Sequence, residues 1–481
     1  MTRALDLASM PSGLYIGGRW LNSGNKMPVR DKFTQETVSE IACATQDHVG
    51  QALETAQAYA SGEGLPAFER SEVLSRIADE LAARREQLID AIVLDTGFTR
   101  KDASGEIARA MQNIRLSAEE TRRVVGEMVP ISSAPGQAGR MAFTVHQPYG
   151  IAVAITPFNS PLNTVLHKVG PAFGAGNAVI LKPANQTPLT AILLAECFDA
   201  AGAPEGSFNL LCAGIEDSET LIQDPRVRYI AFTGSTRVGK HIQQIAGLRK
   251  TQMELGSISA TIVCPDADLD AAIGKIIPAT FRKAGQVCTS VQILLVHEDI
   301  YASVRERLLE KVSKLVVGDP SADDTDVGPL ISPDAADRVA NWVKEACDAG
   351  ADLLCGGDVD GAMMQPAVLE NVPENVKLTC SEVFGPVVTL VPFKHFDEAV
   401  ARANATPYGL AAGVFTGRLN EVLTSMRGLD VGNIHINETS SSRVDLMPYG
   451  GIKDSGFGKE GPPHAIYEMM EEKLITITAN Q

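Results

Sequence analysis

Positive charge is in short supply. Against 59 aspartates and glutamates the 481-residue chain sets only 42 lysines and arginines, a formal net charge of -17. An acidic surface of that kind excludes nucleic acid and anionic membrane as expected partners. Long apolar runs are missing too, so no segment is expected to cross a bilayer, although apolar content is an ordinary 44%. The first ten residues hold an Arg, an Asp and no continuous apolar region. No secretory leader is therefore expected, and a cytoplasmic location is. The eight cysteines form no C-x-x-C pair and no Cys/His spacing typical of zinc. That excludes a metal site and fits reduced thiols better than a disulfide framework. Repeats, low-complexity stretches and flexible linkers are absent as well.

What is there reads as alternating α/β. Residues 14–20 suggest a short hairpin, and 47–60 and 66–120 suggest helices, with Leu74, Ile77, Ala78, Leu81, Leu88, Ile89 and Ile92 at helical spacing. Residues 131–147 look like an extended arm of the kind that serves subunit contacts. Apolar runs at 150–156, 177–182, 207–211 and 228–233 are expected to be strands buried on both faces of a parallel sheet. Thr187-Pro188 opens a helix that Gly202 closes. Past Gly256 the alternation restarts, with strands expected at 261–264, 292–297, 386–393 and 413–416. Helices are expected at 269–284, 301–317, 334–349 and 397–404. Residues 473–478 alternate like an edge strand that could pair with the arm.

Cys288 stands out among the cysteines. It lies in Gly285-Gln-Val-Cys-Thr-Ser290, between a helical pattern and a strand, where a small molecule could reach it as a nucleophile. A small buried cysteine is the plain alternative. Glu254, among apolar neighbours in Thr251–Gly256, suits a general base with a raised pKa; a glutamate at a strand end is the alternative. Asn159, between Pro157 and Pro161, could donate to an oxyanion or simply shape a turn. Gly234 and Ser235, after a strand and before a helix, form a phosphate-binding arrangement. The spacing to Gly239-Lys240 nearly matches a P-loop, but His241 replaces the magnesium-binding hydroxyl, and the loop is not G-x-G-x-x-G either. Lys182, at the carboxyl end of a buried strand, could meet a cofactor hydroxyl or phosphate, or cap the strand.

Seven ordered motifs remove most of that ambiguity. They are Thr156-Pro-Phe-Asn-Ser-Pro161, Lys182-Pro-Ala-Asn-Gln-Thr-Pro188, Phe232-Thr-Gly-Ser-Thr236, Glu254-Leu-Gly256, Gly285-Gln-Val-Cys288, Glu382-Val-Phe-Gly-Pro386 and Pro448-Tyr-Gly-Gly-Ile-Lys453. From about residue 14 onward the chain resembles the aldehyde dehydrogenase superfamily. Its C-terminal signature, Val444–Gly461, is similar to a branch that includes lactaldehyde, phosphonoacetaldehyde and non-phosphorylating glyceraldehyde-phosphate dehydrogenases.

The resemblance implies two doubly wound Rossmann-like domains and a β-arm for oligomerisation. Residues 1–130 and 148–255 would form the NAD(P)-binding domain, and 256–455 the catalytic domain. The arm and C-terminal strand would be 131–147 and 456–481, and a homodimer or homotetramer the assembly. It implies that Cys288 attacks an aldehyde, that Asn159 and the Cys288 amide hold the oxyanion, and that Glu254 activates water. Thr156, Pro157, Phe158, Lys182, Asn185, Phe232, Gly234, Ser235, Leu255, Glu382 and Phe384 fall on cofactor-binding positions, and Glu460 on a proton-relay position.

Departures from the family carry information. Relatives that prefer NAD commonly have Glu where Asn185 stands, so NAD is expected with NADP tolerated. The substrate pocket is assigned to Ser160, Asn163, His167, Val287, Thr289 and Arg443. Several relatives have aromatics at Ser160 and His167, so the aldehyde is expected to be polar and small to medium in size. Arg109 and Arg115 are further candidates to meet an anionic substrate. The alternatives are a coenzyme-A-acylating enzyme, which generally lacks the Glu254 base, and a non-catalytic binding protein of the same fold.

Overall fold

The computed structural model describes residues 4–11 and 13–478. Part of the leader reading over the first ten residues, and the last three residues of the C-terminal segment, lie outside that range. Among the described residues no helix is long and apolar enough to cross a membrane.

Two large sheets organise the molecule. The first runs Arg19–Leu21, Leu14–Ile16, Phe208–Leu211, Ala178–Lys182, Ile151–Ile155, Val227–Thr233, Lys250–Glu254 and Gly456–Phe457. Its central strands are parallel. Period-two alternation buries both faces: Ala152 and Ala154 join one core, Ile151, Val153 and Ile155 the other. The second sheet runs Asp352–Cys355, Ala367–Glu370, Val387–Phe393, Val291–His297, Ser259–Val263, Ala411–Phe415 and Asn433–Ile436. It too is covered on both faces. Each sheet reverses its winding once, between Ile151–Ile155 and Val227–Thr233 in the first and between Ser259–Val263 and Ala411–Phe415 in the second. Such switch points open crevices at the carboxyl ends of strands. The short connection 255–258 joins the two sheets, so the crevice of the first faces the second.

A third sheet is the arm. Arg140–Pro148 pairs antiparallel with Met470–Thr478 over its whole length and with Met128–Val129 on its other edge. The C-terminal segment from 456 is therefore divided. Gly456–Phe457 edges the first sheet, the helix Pro462–Glu468 packs on the helices Arg100–Thr121 and Asn163–Gly174, and only the final strand belongs to the arm.

Some elements differ from the sequence expectation. The helix expected over 66–120 is three helices, Ala67–Ala83, Arg85–Thr96 and Arg100–Thr121. Gly97, at φ +73°, makes the second break, where a Cβ would meet the Pro329 ring at 2.5 Å. Thr99 then caps the next helix through the Asp102 amide. The helix expected over 269–284 ends at Phe281. Lys283, Ala284 and Gly285 follow in left-handed conformation, which turns the chain sharply toward Cys288. Strands at Asp352–Cys355, Ala367–Glu370 and Asn433–Ile436 were not anticipated; they are four-residue pieces too short to show a period.

Candidate active site

A cleft of about 640 Å3 opens between the first two sheets. The loops after Ile151–Ile155, Ala178–Lys182 and Val227–Thr233 supply one wall. The Cys288 turn, the Glu382–Phe384 loop and residues 441–460 supply the other. Every sequence-assigned cofactor residue lines this cleft, as do Cys288, Glu254, Asn159, Glu460, Ser160, Asn163, Val287, Thr289 and Arg443.

His167 is a correction. It is fully buried behind the wall, its Nε2 2.8 Å from Asp445 Oδ1. Asp445 also accepts from Asn163 Nδ2 at 3.0 Å and from Arg109 through two nitrogens. Burial and the charge of Arg443 pull the imidazole down to about 4 against the opposing effect of Asp445, so it stays neutral. Four residues apart on one helix, Asn163 and His167 share a face, but only the first reaches the cavity. Arg115 lies elsewhere, half-exposed beside Asp79.

Two loops meet beside Cys288. Asn159 Nδ2 donates to the Gln286 carbonyl at 2.9 Å, leaving its second N–H for another acceptor. Lys283 Nζ donates to Glu106 Oε2 at 2.6 Å and to the Asn159 carbonyl at 2.9 Å. Glu106 in turn accepts from Ser160 Oγ and the Leu162 amide. This buried ion pair ties the Asn159 loop to the Cys288 turn. Gly285 lets that turn sit on the Gly385 carbonyl, 2.1 Å from where a Cβ would be. Burial pushes the Cys288 thiol up to about 11, opposed by a contact of its Sγ with the Tyr449 hydroxyl at 3.3 Å.

The two carboxylates are shifted in opposite directions. Glu254 is buried, and that burial, joined by the nearby Glu460 charge, raises its pKa well above the usual range. Its Oε1 has no hydrogen-bond partner among the described residues. Burial pushes Glu460 up as well, but Lys168 and Arg443 pull it well below the usual range. Lys168 Nζ lies at 2.8 Å and Arg443 Nη2 at 2.6 Å from its oxygens. The two groups are thus shifted in opposite directions, Glu460 toward its charged form and Glu254 toward its protonated form, and no hydrogen bond joins the two.

At the other end of the cleft, Lys182 Nζ donates to Asn185 Oδ1 at 3.1 Å and has no carboxylate partner among the described residues. Glu382 accepts from the Ser257 amide, and burial lifts it to about 7. The hydroxyls of Thr156 and Thr233, both in the cleft, are buried without hydrogen-bond partners among the described residues. A cationic amine, a carboxylate and unpaired hydroxyls along a switch-point crevice suit a ribose- and phosphate-bearing cofactor.

Sequence reasoning missed Arg282, Tyr449, Lys168, Lys283, Glu106 and Asp445. Tyr449 sits inside a quoted motif, and Arg282 and Lys283 just precede another. Arg282 lines the cleft, donates to Ser441 Oγ at 2.8 Å and forms no ion pair among the described residues. By contrast Arg109 and Arg443 each hold a carboxylate.

Known proteins bear on this arrangement. The profile described as "Aldehyde dehydrogenase family" matches residues 20–475. A 3-sulfolactaldehyde dehydrogenase of Priestia aryabhattai is 46% identical over 466 residues, which span 97% of this chain and 98% of the relative. Aldehyde dehydrogenase 21 from Physcomitrella patens, solved in complex with the reaction product succinate, superposes with a TM-score of 0.95 at 35% identity over 98% of each chain. The glyceraldehyde-3-phosphate dehydrogenase GapN of Methanocaldococcus jannaschii, complexed with NADP, gives 0.90 at 36% identity over 94% of this chain and 99% of that one.

Proposed function

The chain belongs to the aldehyde dehydrogenase family, and on that premise we propose that it oxidises a short polar aldehyde with an anionic tail to the carboxylic acid. The fold and the NAD(P)-dependent aldehyde chemistry come with the family. The residue roles, the domain roles and the substrate tail are the proposal.

In this reading the first sheet binds the cofactor and the second carries the nucleophile. Lys182, Asn185, Glu382, Gly234 and Ser235 hold the dinucleotide, and Thr156, Pro157, Phe158, Phe232, Leu255 and Phe384 line its path. When bound, the nicotinamide supplies the hydride acceptor. Cys288 Sγ adds to the aldehyde carbon as a thiolate, and the carbonyl electrons move onto oxygen. The free Asn159 N–H and the Cys288 amide meet that oxyanion, each worth about 3 kcal/mol. After oxidation the acyl group remains on sulfur as a thioester. Glu254, once deprotonated, takes a proton from water as the water oxygen bonds to the acyl carbon. The C–S bond then breaks, releasing the acid and the thiolate. Glu254 favours water over coenzyme A as the acyl acceptor.

The observation that carries the anionic tail is Arg282, a guanidinium on the cavity wall with a serine hydroxyl for a partner and no carboxylate. Thr289 Oγ1 donates to the same serine at 3.3 Å. The substrate named for the 46%-identical relative carries a sulfonate, an anion of this type. Self-association is part of the proposal. One face of the arm gathers Met128, Met141, Val145 and Ile477, all exposed apolar residues, and a second copy would cover them. Eight unpaired cysteines support a reducing compartment such as the cytoplasm.

The test is nicotinamide reduction against short aldehydes paired by length, each with a sulfonate or carboxylate and with a neutral hydroxyl. The enzyme should prefer the anionic member. Arg282→Gln should lower kcat/KM for it by about tenfold or more and leave the neutral member nearly unchanged. Equal losses for both would remove the anion reading. Turnover surviving in Cys288→Ala would remove the nucleophile.

A further inference from the structure

Tyr449 lies where the nucleophile, the charged network and the C-terminal loop meet. Its side chain is buried, with 3% of the residue exposed, and lines the catalytic cleft. Its Oη sits 3.3 Å from Cys288 Sγ. Two backbone hydrogen bonds pair Tyr449 with Glu460, 2.7 Å and 3.2 Å long. Arg443 holds the pair from the side: its guanidinium carbon is 3.9 Å from the Tyr449 ring centroid while its Nη2 donates to Glu460.

The sulfur has need of a donor. Burial disfavours its thiolate, and the Glu382 carboxylate opposes it further. Arg443 and Arg282 supply positive charge from nearby without a hydrogen bond to sulfur. No imidazole or ammonium reaches Sγ among the described residues; His167 is committed to Asp445 and Lys283 to Glu106. That leaves the Tyr449 hydroxyl as the group within hydrogen-bond reach.

We propose that Tyr449 is a catalytic residue whose hydroxyl donates to the Cys288 sulfur, and that Arg443 is a positioning residue that locks the phenol ring. This rests on the reading of Cys288 as nucleophile. The hydrogen bond holds the thiolate before it adds to the aldehyde carbon, when the new C–S bond draws its electron pair from sulfur. It receives the thiolate again when water has added and the C–S bond breaks with its electron pair returning to sulfur. The tyrosine keeps its proton throughout, so it changes no proton balance. A hydroxyl cannot replace a base, and Glu254 remains the acceptor of the water proton. The thiolate gains stability while the neutral thiol gains little, because hydrogen bonds to charged acceptors are the stronger ones.

The test uses the protein without cofactor, so that its readout is independent of turnover. Alkylation of Cys288 by iodoacetamide is followed by peptide mass spectrometry across pH 6 to 10, where the rate follows the thiolate fraction and so reports a midpoint above that range, with Cys288→Ala to identify signal from other cysteines. Wild-type reactivity should rise with pH as thiolate forms. Tyr449→Phe keeps the ring and the Arg443 contact and should move the midpoint up by about one pH unit, about tenfold in rate below the midpoint. Arg443→Lys keeps the charge but loses the planar stack and should move it in the same direction by less. An unmoved midpoint in a folded Tyr449→Phe protein overturns the proposal, since a purely structural tyrosine would alter thermal stability and leave the thiol titration alone. Failure of the underlying reading is separate: it would show as turnover retained in Cys288→Ala, whatever the alkylation profile.

Discussion

Asn185 sets the electrostatics at the far end of the cleft. Its amide oxygen accepts from Lys182, whose ammonium keeps its charge uncompensated by any described carboxylate. A glutamate in its place would bond the same ammonium and repel a 2′-phosphate. Asn185→Glu should therefore lower kcat/KM with NADP by about tenfold or more relative to NAD, a difference of about 1.4 kcal/mol. Parallel initial rates with the two cofactors measure it, and an unchanged ratio would mean that Asn185 does not face the 2′ position. The same scale explains the paired glutamates. Glu254 and Glu460 are alike in chemistry and burial, but Lys168 and Arg443 bond only the latter. Their environments push their pKa values apart, Glu460 down and Glu254 up.

At the scale of elements, short strands and tight turns hold these groups. Gly456 pairs with Glu254 in the two-residue edge strand beside Lys250–Glu254. It has φ +103°, and a Cβ there would lie 1.9 Å from the Met253 carbonyl oxygen. Gly456→Ala combines backbone strain with a clash against main chain that has no room to relax. It should cost more than about 2 kcal/mol of stability in denaturant titration and lower kcat, because Gly456 pairs with Glu254, the proposed general base. Stability within about 0.5 kcal/mol of wild type would show that the edge strand moves freely. The left-handed run Lys283–Gly285 is the corresponding device on the nucleophile's side. Helical periodicity could not foresee it, since the Lys283–Glu106 pair and the Gly385 contact that hold it come from distant parts of the chain.

For the whole molecule, the arm is the exposed apolar feature with a direction. Met141 faces Ile477 across the ladder, and Val145 lies on the same side four residues along. Val145→Glu with Ile477→Glu should shift the protein toward monomer in light scattering while its circular dichroism stays the same. A wild-type monomer at micromolar concentration would contradict self-association through this face.

Sequence by itself determined a good deal. Buried parallel strands are written in continuous apolar runs, helix starts in residues such as Thr187-Pro188, and the family in a series of short motifs. These are short-range signals, carried by backbone preference and local chemistry. Tertiary structure alone decided that His167 lies behind the pocket wall, that Arg282 forms no ion pair among the described residues, that Tyr449 touches the sulfur and that burial raises the pKa of Glu254 while Lys168 and Arg443 lower that of Glu460. Each depends on which groups come within a few ångströms in a low-dielectric interior, and there the partners come from far along the chain: Asp445 for His167, Ser441 for Arg282, Tyr449 for Cys288. No periodicity in one segment encodes the charge of another, so those decisions wait on the fold.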